Sequence, residues 1–368
     1  MAGLISGIYL HVPFCPTICP YCDFHALLRS RESVAVYLDR LEAEAGELYA
    51  RFPENLQTLY LGGGTPSFLR DSEIERLFAA LPWQVNGEVT LEVNPGTLNK
   101  SRLELWGSLG VNRISLGVQS FQDPVLKALG RAHGRRGALQ AVELSLEAGF
   151  RTSLDLILGL PGQDYERDLS EAAALGVEHV SAYTLQVEPG TPMALQGLRE
   201  NPDLEAEAFL AAREILGQAG LERYEVANFA RPGWEAQHNL NYWRLGFWGG
   251  LGPAASAHLP ARAPDYAERL TAPPLYRWAA GEAATRELIS PAEHIRETLM
   301  MAMRLAEGLD LATLATQSSS GLAERILPKA RELANQGLMQ VSGTHISPTM
   351  RGMDLNHRVV LALWEALA

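Results

Sequence analysis

Three residues of one type stand out for the chemistry they could do. Cys15, Cys19 and Cys22 sit in Tyr9-Leu10-His11-Val12-Pro13-Phe14-Cys15-Pro16-Thr17-Ile18-Cys19-Pro20-Tyr21-Cys22-Asp23-Phe24, and the chain has no other cysteine. Soft thiolates select iron–sulfur clusters, Zn²⁺ or Cu(I) over oxygen-seeking ions. A structural zinc wants four ligands, so zinc here would need a fourth, such as His11 or His25. Three thiolates instead suit a 4Fe–4S cluster with one iron left open, because full ligation takes four. An open iron can hold a small molecule, which makes the cluster a reaction centre. Buried structural cysteines fit a set confined to eight residues poorly. A disulfide with a spare thiol suits a secreted chain, yet no basic stretch followed by an apolar run precedes the first strand.

Such thiols need elements to hold them. A strand-like run, Gly7 to Val12, leads into them, and a helix with Val34, Leu38, Leu41, Ala45 and Leu48 on one face follows. The alternation then repeats. Strands are expected at Thr58–Leu61, Val89–Val93, Arg113–Val118, Thr152–Leu158 and His179–Val187. Helices are expected between them, at Asp71–Ala80, Lys100–Gly107, Gly137–Ala148 and Asp164–Leu175. Successive βα units predict an α/β fold on a parallel sheet. Ligand sites in such sheets form at the C-terminal strand ends, where Gly62-Gly63-Gly64-Thr65-Pro66, Glu92, Gln119 and Asp155 fall. Motifs spread over five of six strands favour a partial (β/α)6 barrel over a doubly wound sheet, although periodicity alone does not separate the two.

Beyond the sixth strand come a helix near Asp203–Ala219 and a short strand near Tyr224–Phe229. An aromatic and glycine-rich segment then carries His238-Asn239-Leu240-Asn241-Tyr242-Trp243. From about Ser290, helices such as Glu293–Arg304 and Leu322–Gln336 precede the strand pair Met339–Val341 and His345–Ile346. That order predicts a mainly helical, winged-helix-like terminal domain. The expected division is 1–228, 229–289 and 290–368. A net charge of −12 opposes broad attraction to nucleic acid. No apolar run approaches the ~18 residues of a membrane span, and with its reduced-looking cysteines the chain is expected in the cytoplasm.

The cysteine spacing resembles the cluster loop of radical S-adenosylmethionine (SAM) proteins. In that chemistry SAM chelates the open iron, and an electron from the cluster cleaves it to a 5′-deoxyadenosyl radical; the protein positions the cofactor and excludes water. Gly62 to Gly64 would let the backbone approach the SAM amino group closely, or they form a plain β-to-α turn. Arg131 suits bidentate pairing with the SAM carboxylate, or it is an exposed helix-end arginine. Glu92 and Asp155 are carboxylates inside apolar strands, costly unless paired or hydrogen-bonded, and so read as site residues. Gln119 could bond ribose hydroxyls or merely brace a loop. His238 could ligate haem iron, with Tyr242 and Trp243 against the porphyrin face, or it is a satisfied histidine in a packed loop.

Together these stretches resemble one family along nearly the whole chain: the radical SAM, oxygen-independent coproporphyrinogen III oxidase-like family. The carrying motifs are Tyr-x-His-x-Pro-Phe-Cys-x-x-x-Cys-x-Tyr-Cys-x-Phe at Tyr9–Phe24, Gly62–Pro66, Gly117–Ser120 and Asp155–Gly162. The resemblance implies a partial barrel with a C-terminal accessory domain. It implies cluster ligands Cys15, Cys19 and Cys22, and SAM contacts Tyr9, Tyr21, Gly64, Thr65, Glu92, Gln119, Arg131 and Asp155, with Gly63 and Thr184 as weaker matches. The oxidases carry a further cysteine where this chain has Phe24, and a longer N-terminal extension. The His238–Trp243 signature is similar instead to a haem-chaperone branch. That branch implies bound haem, haem-accepting apoproteins as partners and an electron donor to the cluster. Oxidative decarboxylation of coproporphyrinogen III is the alternative.

Overall fold

The computed structural model describes residues 4–315 and 321–367. Six parallel strands carry the site: β1 (Gly7–Val12), β2 (Leu56–Gly63), β3 (Val85–Val93), β4 (Arg113–Gln119), β5 (Arg151–Leu158) and β6 (His179–Thr184). They lie side by side in chain order. Each crossover therefore steps the same way. With right-handed crossovers all the helices fall on one face and the sheet curls with that face outside. A doubly wound sheet would reverse direction once, so strand order settles what periodicity left open: the fold is a partial barrel.

The barrel stays open. On its β1 edge the sheet continues through the parallel strand Trp248–Leu251 and then the antiparallel strands Ser256–Pro260, Ala267–Thr271 and Thr285–Ile289. On its β6 edge it takes antiparallel Asn228–Ala230 and then Glu222–Arg223. The expected strand Tyr224–Phe229 thus resolves into two short strands, with the chain turning between them. The aromatic segment 229–289 does not hang as a connector: four of its strands extend the barrel sheet.

Side chains alternate across a strand, and here the two faces differ in kind. The outward residues are apolar and buried: Ile8, Leu10, Leu59, Leu61, Val89, Leu91, Ile114, Leu116, Leu154, Leu156 and Val180. They form the main core with the outer helices. One of these, Arg31–Tyr49, starts at a Ser30 capping box and sinks Val34, Tyr37, Leu38, Leu41 and Ala45 into that core. The inward face is polar. Thr58 and Tyr60, Glu88, Thr90 and Glu92, Arg113 and Ser115, Ser153 and Asp155, and His179 and Ser181 follow one another at steps of two. Registers such as Tyr60 beside Thr90, Glu92 beside Ser115, and Asp155 beside Ser181 place them on one side of the sheet. The interior is thus a hydrogen-bonded polar lining.

The C-terminal unit runs helix Pro291–Ala302, strand Leu309–Asp310, helices Leu311–Ala315 and Leu322–Asn335, then strands Met339–Ser342 and His345–Pro348. That is winged-helix order, with a separate apolar core around Leu299, Met303, Ile326, Leu333 and Ile346. It is pinned to the barrel where Asp354 meets Arg223 at 2.5 Å and Arg213 at 2.8 Å. The Arg223 side chain is only 2 % exposed, so unpairing it would leave a buried charge. The surface pair Arg244–Glu307 contributes little by comparison.

Candidate functional site

The cysteine loop starts where β1 ends. Phe14–Cys15 pairs in parallel with Leu27–Leu28, and the turn between them carries Cys19 and Cys22. All three thiols are free and partly exposed, facing a cavity of about 1590 Å³. Burial pushes the thiols of Cys15 and Cys22 up, while the Arg131 charge pulls the other way. His11 accepts at Nδ1 from the Tyr9 hydroxyl (2.9 Å) and donates from Nε2 to the His25 carbonyl (2.9 Å). His25 accepts the Leu275 N–H. His11 thus has both ring nitrogens bonded, and His25 has its Nε2 bonded. Among the described residues no His, Cys, Asp or Glu group converges on a single-ion point. A cuboidal cluster asks for no such convergence, since each thiolate takes a different iron.

The glycine turn after β2 lies flush against this loop. Gly63 has φ +108°, and a Cβ there would fall 2.4 Å from the His11 ring. A Cβ on Gly64 would meet the Pro13 carbonyl carbon at 2.8 Å. Gly64 N–H donates to Val12 and Thr65 N–H to Phe14, and the Thr65 hydroxyl lies 3.4 Å from the Cys15 sulfur. Side chains at these glycines would push the turn off the cysteine loop.

Carboxylates line the next part of the wall. Glu92 accepts from the Tyr60 hydroxyl (2.8 Å) and the Gly63 N–H (3.1 Å). Burial, aided by the nearby Asp155 charge, pushes its carboxyl up to about 7, against those two bonds and Arg113. Asp155 accepts from the Ser115 hydroxyl at 3.1 Å; burial raises its carboxyl too, opposed by Ser181, Arg113, Ser115 and Arg131. Gln119 holds φ +66°, a left-handed conformation that favours glycine, and such strain concentrates at functional sites. Arg131 donates to the Tyr21 hydroxyl at 2.8 Å, and its Nε is buried without a partner.

Thirteen of the sequence-predicted residues share the cavity wall: the three cysteines, Tyr21, Gly63, Gly64, Thr65, Glu92, Gln119, Arg131, Asp155, Tyr242 and Trp243. Thr184 lies there too. Tyr9 does not. It sits behind the wall, stacked on Tyr60 and bonded to His11.

His238 requires a correction. It is the second residue of the short helix Gln237–Trp243 and is fully buried. Its Nδ1 pairs with the Thr58 hydroxyl (2.8 Å), its Nε2 with the Tyr242 hydroxyl (2.7 Å), and its ring stacks on Tyr60. Burial lowers its pKa to about 3, aided by the Arg113 charge, so the ring is neutral. With both nitrogens engaged it offers no lone pair to the cavity, and the axial-ligand expectation gives way to a supporting role. Its neighbours Asn239, Tyr242 and Trp243 do face the cavity. The Trp243 indole N–H is buried without a partner, and Arg304 lies over its ring at 5.0 Å.

The residue that seats this helix was missed in the sequence. Glu88 accepts from the N–H groups of Gln237 (3.2 Å) and His238 (3.1 Å) and faces Arg113 and Arg151 at 3.8 and 3.9 Å. Tyr60, Arg113, Ser115 and Ser181 were missed with it. A signal existed: polar residues recur every second position in strands whose other positions are apolar. Arg351 and Asp354, which bring the terminal unit to the cavity, carried none.

A three-thiol loop at the mouth of an open parallel barrel is the arrangement of the radical SAM superfamily, whose model matches residues 9–173. The HemN C-terminal domain model matches residues 289–355. Curated relatives bear the name heme chaperone HemW. That of Lactococcus lactis is 33% identical over 96% of each chain. That of Synechocystis is 34% identical over 87% of this chain and 82% of its own, and that of Escherichia coli 40% identical over 70% and 71%. The chain belongs to the HemW branch of the HemN-like radical SAM family. In structure it is similar to coproporphyrinogen III oxidase (HemN) from Escherichia coli, with a TM-score of 0.82 and 24% identity over 98% of this chain and 90% of that one. Among the described residues no helix is long and apolar enough to cross a membrane.

Proposed function

We propose that this protein is a cytoplasmic haem chaperone holding a 4Fe–4S cluster, SAM and haem, and passing haem to acceptor apoproteins. The carrying observation is that the three-thiol loop and the Asn239–Tyr242–Trp243 face open into one cavity. The names of the relatives agree with it. In this reading residues 1–228 hold the cluster and SAM, 229–289 bring the aromatic helix, and 290–368 close a wall.

Cys15, Cys19 and Cys22 would ligate the cluster, which supplies one-electron chemistry when reduced by an external donor. The chain's own part is to bind and orient. Arg131, with its unpartnered Nε, takes the SAM carboxylate. Glu92 and the Gly63–Thr65 turn hold the amino group, and Gln119 and Asp155 face the ribose. Tyr21 braces Arg131, and Tyr9 acts through His11. The competing reading, coproporphyrinogen III oxidase, would want a fourth cysteine where exposed Phe24 stands. The deciding experiment is anaerobic reconstitution followed by two separate assays. Stoichiometric haem binding without decarboxylation supports the chaperone; turnover of coproporphyrinogen III with SAM overturns it.

Glu92 gives this reading a pH signature. Its folded pKa of about 7 lies above the ~4.3 of a free glutamate. Between these values the folded state binds more protons than the unfolded one, so this group makes stability fall as pH rises through that window and level off above it. An amino N–H placed against Glu92 would favour the ionised form. SAM affinity should therefore climb up to about tenfold per unit as pH rises towards 7 and flatten beyond it. Calorimetry in buffers of different ionisation enthalpy should show proton release at pH 6. A flat profile from pH 5 to 8 would place the amino group elsewhere.

A further inference from the structure

The wall of the same cavity also takes in residues near the β6 edge and from the terminal unit, a part called the inner lobe. Its walls are apolar at Leu185, Phe209, Leu210 and Leu355, with Trp243 at the base. Two cations reach it from different parts of the chain. Arg304, at the end of the first terminal-unit helix, is half-buried over the Trp243 ring. Arg351 is exposed, one turn before Asp354 in helix Met350–Asp354. Among the described residues no ion pair involves either guanidinium. Arg223 and Arg213, close by, are already taken by Asp354.

Two neutral polar atoms there also lack partners. The Trp243 indole N–H and the Asn228 side-chain carbonyl are buried and unbonded, and Asn228 is only 3 % exposed. Buried polar atoms without partners are uncommon and call for an explanation. Glu225 on the same wall accepts the Ala227 N–H, and burial raises its carboxyl; Glu188 and Glu205 line the cavity as well. Apolar walls and two guanidinium groups outside ion pairs match an aromatic ring system with carboxylates on its edge.

We propose that this lobe grips the peripheral carboxylates of a tetrapyrrole, with Arg304 inside and Arg351 at the rim. This rests on the haem reading and adds to it the part of the ligand that the protein recognises. It makes the terminal unit half of the site.

Metal-free protoporphyrin IX and its dimethyl ester test this, because they separate carboxylate recognition from iron ligation. The full chain is titrated with each and read by quenching of tryptophan fluorescence. Charge-assisted hydrogen bonds predict that the free acid binds about tenfold or more tighter than the ester. The Arg304→Gln/Arg351→Gln double variant should lose that preference, and Arg304→Lys/Arg351→Lys should recover part of it. Circular dichroism confirms that each variant is folded. Equal affinity of the unaltered protein for acid and ester overturns the carboxylate grip while leaving haem binding intact, as does a preference that survives both arginine-to-glutamine changes. Failure to bind either porphyrin, or haem itself, overturns the haem reading and this proposal together.

Discussion

Replacing Cys19 with alanine is expected to lower the iron held after anaerobic reconstitution from about four atoms per chain to nearly none. The effect should be this large because the loop has no reserve. Three thiols are present in the whole sequence, and the two histidines nearest them along the chain are bonded elsewhere. His11 is held by Tyr9 and the His25 carbonyl, and His25 by the Leu275 amide. Two remaining thiolates cannot hold a cuboidal cluster at three corners. The fold should survive, since the cysteines lie on a partly exposed loop and the core is the strand–helix layer behind it. Iron content and the visible absorbance of the reconstituted protein read the first expectation, and thermal unfolding of the iron-free protein reads the second. A variant that keeps full iron loading would point to ligands outside the three cysteines.

Glu88→Ala is expected to cost about 3–5 kcal/mol of folding stability. Its carboxylate is buried at 3 % exposure, and removing it unpairs several groups at once. Arg113, itself 3 % exposed, would become a buried charge without its counter-ion. The N–H groups of Gln237 and His238 would lose their acceptor, and a buried polar group without a partner carries its full desolvation cost. Glu88→Gln should fall between, because its amide oxygen still accepts from the helix while the charge is gone. The functional consequence is directional. The helix Gln237–Trp243 loses its anchor while the cysteine loop, built on the opposite strand ends, does not. Haem binding should weaken more than cluster assembly. Chemical denaturation and parallel haem and iron assays check this, and equal loss of both would show that Glu88 supports the barrel as a whole.

Much of the fold was legible along the chain. The βα alternation marked each of the six strands, and the motifs at their ends marked the mouth. Only boundaries moved: β2 starts at Leu56 and β3 at Val85, earlier than their apolar runs suggested. The terminal unit's winged-helix order was also readable, because helices and a hairpin are local patterns. The polar interior was less so. Glu92 and Asp155 stand out as carboxylates in apolar strands, whereas Glu88 and Arg113 each alone read as strand-start residues on a solvated edge and Ser181 as a small polar residue within a strand. Only their shared register reveals a lining.

His238 shows the limit most clearly. Its residue type and aromatic neighbours fit a metal ligand as well as they fit a packed histidine. Thr58 and Tyr242 decide between them, and Thr58 lies 180 residues away. The sequence by itself determined the chemistry on offer: three thiols without a fourth, a glycine turn, and carboxylates at strand ends. These follow from spacing, which the covalent chain carries. Tertiary structure alone decided which nitrogens and cations remain free to meet a ligand. That depends on partners brought together through long-range packing: His11 and His238 are used up, while among the described residues Arg131 retains an unpartnered Nε and Arg304 and Arg351 remain outside ion pairs.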